Sequence, residues 1–303
     1  MINRSWKSFS LRALLVLMTL FAIVCGYITN DWREARRQWQ AEQQAIDLLQ
    51  RRGLVLQSEP RPRWWSGLLR SREQQQIFSR VVMVGSHNNR LRYEPTDAAA
   101  YASLTQLQQL DLSTTSADDS LLQVLPQLRQ LETLDLSGTL VTGHDCPSLA
   151  GLTQLRELNL ANTRFQPAAW RVIDGLPKLE KLNLGSTQVD DAWVIELCQR
   201  QPHLQLLGLS KTKVTDQSMS AIASLRSLET LYLEQVSITN QGVQQLAKSR
   251  SLRCIDIGHN AIDDGCIAAL IAMPSMKAIS IHRCKFTAEG KAKVHQAIPP
   301  PQP

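Results

Sequence analysis

Three segments decide the architecture: LRQLETLDLSGTLV (residues 128–141), LTQLRELNLANTRF (152–165) and LPKLEKLNLGSTQV (176–189). They superpose at a step of 24 residues, with leucine at the first, fourth, seventh and ninth places, then Thr, then a closing apolar residue. Outward from this block, the L-x-L pair recurs at Leu110/Leu112, Leu134/Leu136, Leu158/Leu160, Leu182/Leu184, Leu207/Leu209, Leu231/Leu233, Ile255/Ile257 and Ile279/Ile281. One step is 25 residues; the others are 24. A repeat of this length is a single supersecondary unit that cannot bury its own apolar face, so it must stack on its neighbours. The expected fold is an α/β solenoid, with a curved parallel sheet on the concave side and helices on the convex side. The array is expected over residues 81–286, an irregular first repeat followed by about eight regular units. Residues 287–303 are expected to form a C-terminal cap and a proline tail.

The pattern also assigns places within each unit. The L-x-L residues point inward from a short strand. Three positions later stand Thr115, Thr139, Thr163, Thr187, Thr212, Val236, Asn260 and Cys284. A short polar side chain at this buried turn satisfies backbone groups leaving the strand. Val236 cannot, so a local defect is expected there. Asp190-Asp191, Thr215-Asp216, Thr239-Asn240 and Asp263-Asp264 suit helix N-caps on the return segment. The helices should bury Leu122/Leu125, Cys146/Leu149, Trp170/Ile173, Val194/Leu197, Met219/Ile222, Val243/Leu246 and Ile267/Leu270. Lys291 breaks that series and marks the end of the array.

Charge is unevenly divided. Residues 1–103 carry 15 Lys+Arg against 8 Asp+Glu; residues 104–303 carry 18 against 19, so the net +6 belongs to the N-terminal third. The array has no electrostatic footprint for phosphate, which disfavours nucleic acid as a partner.

Ala13 to Asn30 is uncharged, with LLVLMTLFAIVCGYIT at its centre. As a helix this run would extend roughly 27 Å, close to the hydrocarbon core of a bilayer. Snorkelling by Arg12 lets the apolar contact begin at Phe9, so membrane attachment is expected through residues 9–30. Residues 1–30 then form a cytoplasmic leader and signal anchor, with the array outside the cytoplasm at the inner membrane. A cleaved signal peptide, with a small-residue site near Cys25, is the alternative. Residues 31–80 read as a helical linker and N-terminal cap. Trp32, Trp39 and Ile46 stand seven apart, which fits a helix lying on the membrane or on the array, or one that drives self-association. Gly53 ends that helix, Leu54-Val55-Leu56 starts a strand, and a second helical stretch is expected around Trp64 to Phe78. Arg80 to Val84 reads as a strand with Val82 and Val84 in the L-x-L places.

This ladder resembles leucine-rich repeat proteins of the strand-plus-helix subtype, as in ribonuclease-inhibitor-like and F-box-associated arrays, with no F-box in this chain. The stretch F-S-L-R-x-L-L-V-L-x-T-L (Phe9 to Leu20) resembles the anchor of planctomycete-type bacterial leucine-rich repeat proteins, and Arg63-Trp64-Trp65 to Val81-Val82 is similar to their connecting segment. What the resemblance implies is binding of a protein or peptide on the concave sheet; no cofactor and no enzymatic activity are expected.

Residues flanking the inward leucines share the concave face. The middle column contains Asp111, Asp135, Asn159, Asn183, Gly208, Tyr232, Asp256 and Ser280. The columns beside it add Leu206 and Lys181 on one side, and Glu234 and His282 on the other. Asp111, Asp135, Asn159, Asn183, Leu206, Tyr232, Glu234, Asp256 and His282 are the candidate partner-binding residues, with Tyr232 as the aromatic anchor. The alternative is that small polar residues simply keep a solvated sheet soluble. Cys254, Asp256 and His282, with His259 and Cys284 near, admit a remote metal or Cys–His hydrolytic reading. No metal-spaced C-x-x-C or H-x-x-x-H occurs, so neither a catalytic nor a metal site is expected. Six cysteines without a spacing pattern read as mostly buried thiols rather than a disulfide framework.

Overall fold

In the computed structural model, which describes residues 33–34, 36–60, 79–85, 93–144, 149–166, 173 and 175–298, the ladder becomes a ten-stranded open sheet in sequence order. An N-terminal helix over residues 36–51 (α1) leads into β1 (Val55–Pro60) and β2 (Ser79–Gly85), which pair antiparallel. From β2 onward every pairing is parallel, through β3 (Gln109–Asp111), β4 (Thr133–Asp135), β5 (Glu157–Asn159), β6 (Lys181–Asn183), β7 (Leu206–Gly208), β8 (Thr230–Tyr232), β9 (Cys254–Asp256) and β10 (Ala278–Ser280). Each array strand is three residues long, and register is unbroken: Leu110, Leu134, Leu158, Leu182, Leu207, Leu231, Ile255 and Ile279 lie side by side. All are buried.

The opening repeat differs from the expected one. Val84, not Val82, pairs with Leu110, so the first unit is offset by two residues from the L-x-L alignment. The β1–β2 register shifts at Gln57/Ser58, whose partners are Met83 and Val81, so strict alternation breaks within β2 and the apolar pattern alone does not set the register.

Every return segment is short. The convex side holds helices α3 (Asp119–Leu122), α4 (Asp191–Arg200), α5 (Met219–Ala223), α6 (Asn240–Leu246), α7 (Ile267–Ile271) and the closing α8 (Ala288–Ala297), following α2 (Pro95–Ser103) in the opening repeat. The expected apolar pairs are buried, except that Ile267 is only half-buried while Cys266 fills the core in its place. The 3-10 turn Asp264–Cys266 ahead of α7 brings Cys266 to the core side. Cys146 and Trp170 lie outside the described residues. At the C-terminus Val294 and Ile298 close the core while the rest of α8 is largely polar, the cap that Lys291 signalled. The proline tail lies outside the described residues.

The N-terminal cap is made by α1 lying on the array. Its buried face is Glu42, Ala45 and Leu49, with Trp39 and Ile46 half-buried, so the packing stripe runs beside the seven-residue spacing of Trp39 and Ile46 rather than along it. Gln38 Nε2 donates to Thr105 Oγ1 at 2.8 Å, and Val81 N donates to Glu42 Oε1 at 3.3 Å. The helix ends as expected at Gly53 (φ +87°), where Leu54 N reaches back to Leu49 O at 3.1 Å. That six-to-one bond needs a left-handed residue, which glycine adopts without a Cβ penalty.

Helix α2 was not expected from the sequence, although Glu94-Pro95-Thr96-Asp97 carries its signature: Pro in the first turn and a reciprocal capping box between Glu94 and Asp97. Arg52 pairs with Glu94 and lies 3.5 Å from buried Asp97. Stacked Tyr93 and Tyr101 (centroids 6.4 Å apart) pack close by; burial pushes both phenols above their ordinary range. This cluster closes the first end of the array.

Among the described residues no helix is long and apolar enough to cross a membrane. The anchor expected at residues 9–30, Trp64-Trp65 and the second helical stretch all lie outside the described residues.

Candidate binding face

The concave floor follows from strand register. Asp111, Asp135, Asn159, Asn183, Gly208, Tyr232, Asp256 and Ser280 form one continuous column, and Gln109, Thr133, Glu157, Lys181, Leu206, Thr230, Cys254 and Ala278 form the next. Seven of the nine expected residues therefore share these two columns, and Glu234 and His282 lie two residues beyond the ends of β8 and β10. Leu206 lies in the column beside that of Tyr232, and Tyr232 stands between Gly208 and Asp256.

Much of the acid-to-amide column has an internal task. Asp111, Asp135, Asn159, Asn183 and Asp256 each accept, through Oδ1, the backbone N–H two residues ahead, at 2.8–3.1 Å. These bonds turn the chain out of each strand, as Asx side chains do in tight turns. Asn159 Nδ2 also donates to Asp135 Oδ2 at 2.9 Å, tying two repeats together. The sequence presents the column as a recognition surface; in the structure five of its side chains are engaged in bracing the turns. The residue after that turn N–H has positive φ at Thr114, Gly138, Asn162, Ser186 and His259, and Lys211, Gln235 and Arg283 adopt it at the same place in repeats whose column residue is Gly208, Tyr232 or Ser280.

Tyr232 is different. It is 43 % exposed, one of few large apolar side chains in solvent, and its Gly208 neighbour leaves one flank open. Gly208 cannot readily be larger: a Cβ there would fall within contact distance of the Asn183 side chain. The adjoining column carries an ion pair between Lys181 Nζ and Glu157 Oε1 at 2.7 Å, which raises the ammonium's pKa.

At the C-terminal end, Glu234 and His282 are joined by His259. His282 Nε2 lies 3.4 Å, and His259 Nε2 3.6 Å, from Glu234 Oε1. Their rings meet edge to face with centroids 4.9 Å apart. Cys254 is not one of the three. Cys284 is buried and its Sγ donates to Ile257 O at 3.2 Å. Cys198 and Cys266 are buried too, their thiols pushed up to about 12 chiefly by burial. The four described cysteines are free thiols.

Models of leucine-rich repeats match residues 129–189 and 248–270. The repeats over those residues are leucine-rich repeats. Among curated proteins none matches the chain. Solved structures with similarity to the chain include an internalin from Listeria monocytogenes (17 % identity, TM-score 0.43, covering 64 % of this chain and 67 % of that one). A leucine-rich repeat protein of Leptospira interrogans shares 21 % identity at a TM-score of 0.46, covering 66 % of this chain and 55 % of its own. The plant peptide hormone receptor RGFR1, solved in complex with RGF2, shares 14 % identity at a TM-score of 0.43 and covers 68 % and 33 %. The chain thus spans about half the length of the Leptospira protein and a third of the plant receptor.

Proposed function

We propose that the chain is a membrane-tethered interaction module that holds a protein or peptide on its concave sheet. Leucine-rich repeat arrays generally mediate protein–protein interaction. The observation that carries the reading here is Tyr232: an exposed aromatic ring on an otherwise small, polar, rigid floor. Aromatic anchors of this kind tend to dominate interface energetics, because they bury large area at low entropic cost. Leu206 in the next column and the carboxylates of Glu234 and Asp256 complete an apolar centre with an acidic rim.

The tether rests on the uncharged run from Ala13 to Asn30 and on the resemblance of Phe9 to Leu20 to known anchors of membrane-bound leucine-rich repeat proteins. Three Lys/Arg stand on each side of that run, so Lys/Arg balance does not choose the orientation; the shortness of the charged leader favours a cytoplasmic N-terminus with the array beyond the membrane.

A photo-crosslinking side chain at position 232, compared with one at exposed Ile271 on the convex side, tests the face. Discrete adducts from 232 that are absent from 271, and lost on Leu206→Asp, support it; equal labelling from both positions refutes it. Release of the full-length protein from membranes by carbonate would refute the tether independently.

A further inference from the structure

Glu234, Gly258 and His282 hold the same place in three successive repeats, two residues beyond the central residue of the strand column. Strands stack about 4.8 Å apart, so the backbones at 234 and 282 stand roughly 10 Å from each other. Their side chains nonetheless meet, because the intervening repeat has no side chain at 258. The His282 ring lies over Gly258, where a Cβ would fall within contact distance of Cε1, Nδ1 and Nε2. His259, next in the chain and in the left-handed region (φ +58°), brings a second imidazole to the same carboxylate.

The three donor atoms all lie within 4.8 Å of one another. Bonds of ~2.0–2.1 Å at tetrahedral angles place neighbouring donors ~3.3 Å apart. The observed 3.4 and 3.6 Å from Glu234 Oε1 are close to that spacing and longer than a good N–H···O bond. His282 Nδ1 is 2.8 Å from Ser280 Oγ and 3.9 Å from Asp256 Oδ1. With the Nδ1 proton given to that hydroxyl, Nε2 turns its lone pair toward Glu234, the outer-shell pattern that orients metal-bound histidines. In that tautomer Nε2 and Glu234 Oε1 both offer lone pairs to the space between them, as a bound cation requires; in the other tautomer Nε2–H donates to Glu234.

We propose that Glu234, His259 and His282 form a binding site for a divalent transition-metal cation of the zinc class. Two imidazoles and one carboxylate suit Zn, Cu, Ni or Co, rather than the all-oxygen cages of Ca and Mg. All three side chains are at least partly exposed, so the remaining coordination positions open toward solvent at the end of the concave floor.

Cobalt(II) titration of the full-length chain in detergent, followed by displacement with zinc, tests the site. One equivalent of cobalt is expected, with the visible absorption of a four- or five-coordinate ion that zinc abolishes. His259→Ala and His282→Ala should each weaken binding by about tenfold or more. Gly258→Ala keeps all three donors but displaces the His282 ring, and should weaken binding as well. His203→Ala, an exposed histidine elsewhere on the array, should leave it unchanged. Far-UV circular dichroism of each metal-free variant controls for folding. The absence of a cobalt spectrum in the wild type would overturn the proposal, as would binding that survives loss of both His259 and His282.

Discussion

Asn260 does the work that Val236 cannot. In the preceding repeats the turn threonine donates its hydroxyl to the strand carbonyl three residues back, as Thr187 does to Leu184 and Thr212 to Leu209, each at 2.6 Å. At Val236 the equivalent carbonyl, Leu233 O, instead accepts from Asn260 Nδ2 of the next repeat at 2.7 Å, while Val236 N donates to Asn260 Oδ1 at 3.0 Å. The same amide nitrogen lies 2.9 Å from Ile257 O, serving its own repeat as well. The defect expected from sequence is thus repaired by the side chain of the next repeat. Asn260→Ala should cost about 2–4 kcal/mol, since it strands several buried backbone groups at about 1–3 kcal/mol each. Val236→Thr restores one donor and should recover about 1 kcal/mol of that loss. Urea unfolding of the two single variants and the double variant measures both figures.

A second ladder runs along the edge where strands give way to helices. Asp216, at the start of one return segment, accepts from Thr239 N at 2.9 Å and from Thr239 Oγ1 at 2.6 Å; Thr239 is the N-cap of α6 in the next repeat. Asp191 holds Thr215, and Asp264 holds Thr287, in the same way. Gly242 keeps room for the Asp216 carboxylate, which a Cβ there would strike. Gly242→Ala should therefore destabilise by about 1–3 kcal/mol through overpacking. In an Asp216→Ala background the same substitution should become neutral or stabilising, since alanine favours a helix by about 1 kcal/mol over glycine. Additive effects in a double-mutant cycle would sink this reading.

Such relationships explain what the sequence concealed. The inward leucines were legible because burial and strand alternation act within one repeat, and the N-caps because their partners lie two or three residues away. The Asp216–Thr239 link, the Asn260 repair and the group formed by Glu234, His259 and His282 join residues 23 to 48 positions apart. They emerge only once stacking register is known, and the histidine group further depends on a missing side chain at Gly258. Helix α2 was missed for another reason: Glu94-Pro95-Thr96-Asp97 lies in an irregular insert where no repeat pattern drew attention to it. On the concave face, sequence placed the residues together but did not reveal that the Asx column is already engaged in the turns.

Thiol burial gives a pH dependence of definite sign. Cys198 and Cys266 have folded-state pKa values pushed up to about 12, against 9.0 for an ordinary thiol. The folded chain therefore holds protons that the unfolded chain releases above pH 9. The contribution is complete below the unfolded value and is lost as pH rises from about 9 toward 12. Stability measured by urea unfolding should fall across that window, and the alkaline slope should be shallower in Cys198→Ala. Cys254, the half-buried thiol among the four, should react first with a thiol reagent at pH 8, with Cys198 and Cys266 labelling only on unfolding.

Leu231 and Tyr232 are neighbours on β8 with opposite fates, and they separate folding from recognition. Leu231 is fully buried in the ladder between Leu207 and Ile255, whereas Tyr232 stands in solvent on the concave side. Leu231→Ala leaves a cavity in a closely packed core and should cost about 2–5 kcal/mol. Tyr232→Ala removes a ring with no intramolecular hydrogen bond among the described contacts and should shift stability by about 0.5 kcal/mol or less. Because array repeats are coupled mainly to their immediate neighbours, the Leu231 variant should also loosen β7 and β9 preferentially. Hydrogen exchange would show this as faster amide exchange near Leu209 and Ile257 than near Leu112. A Tyr232→Ala variant as unstable as Leu231→Ala would mean that the ring belongs to the core, and the case for an interface centred on it would fail.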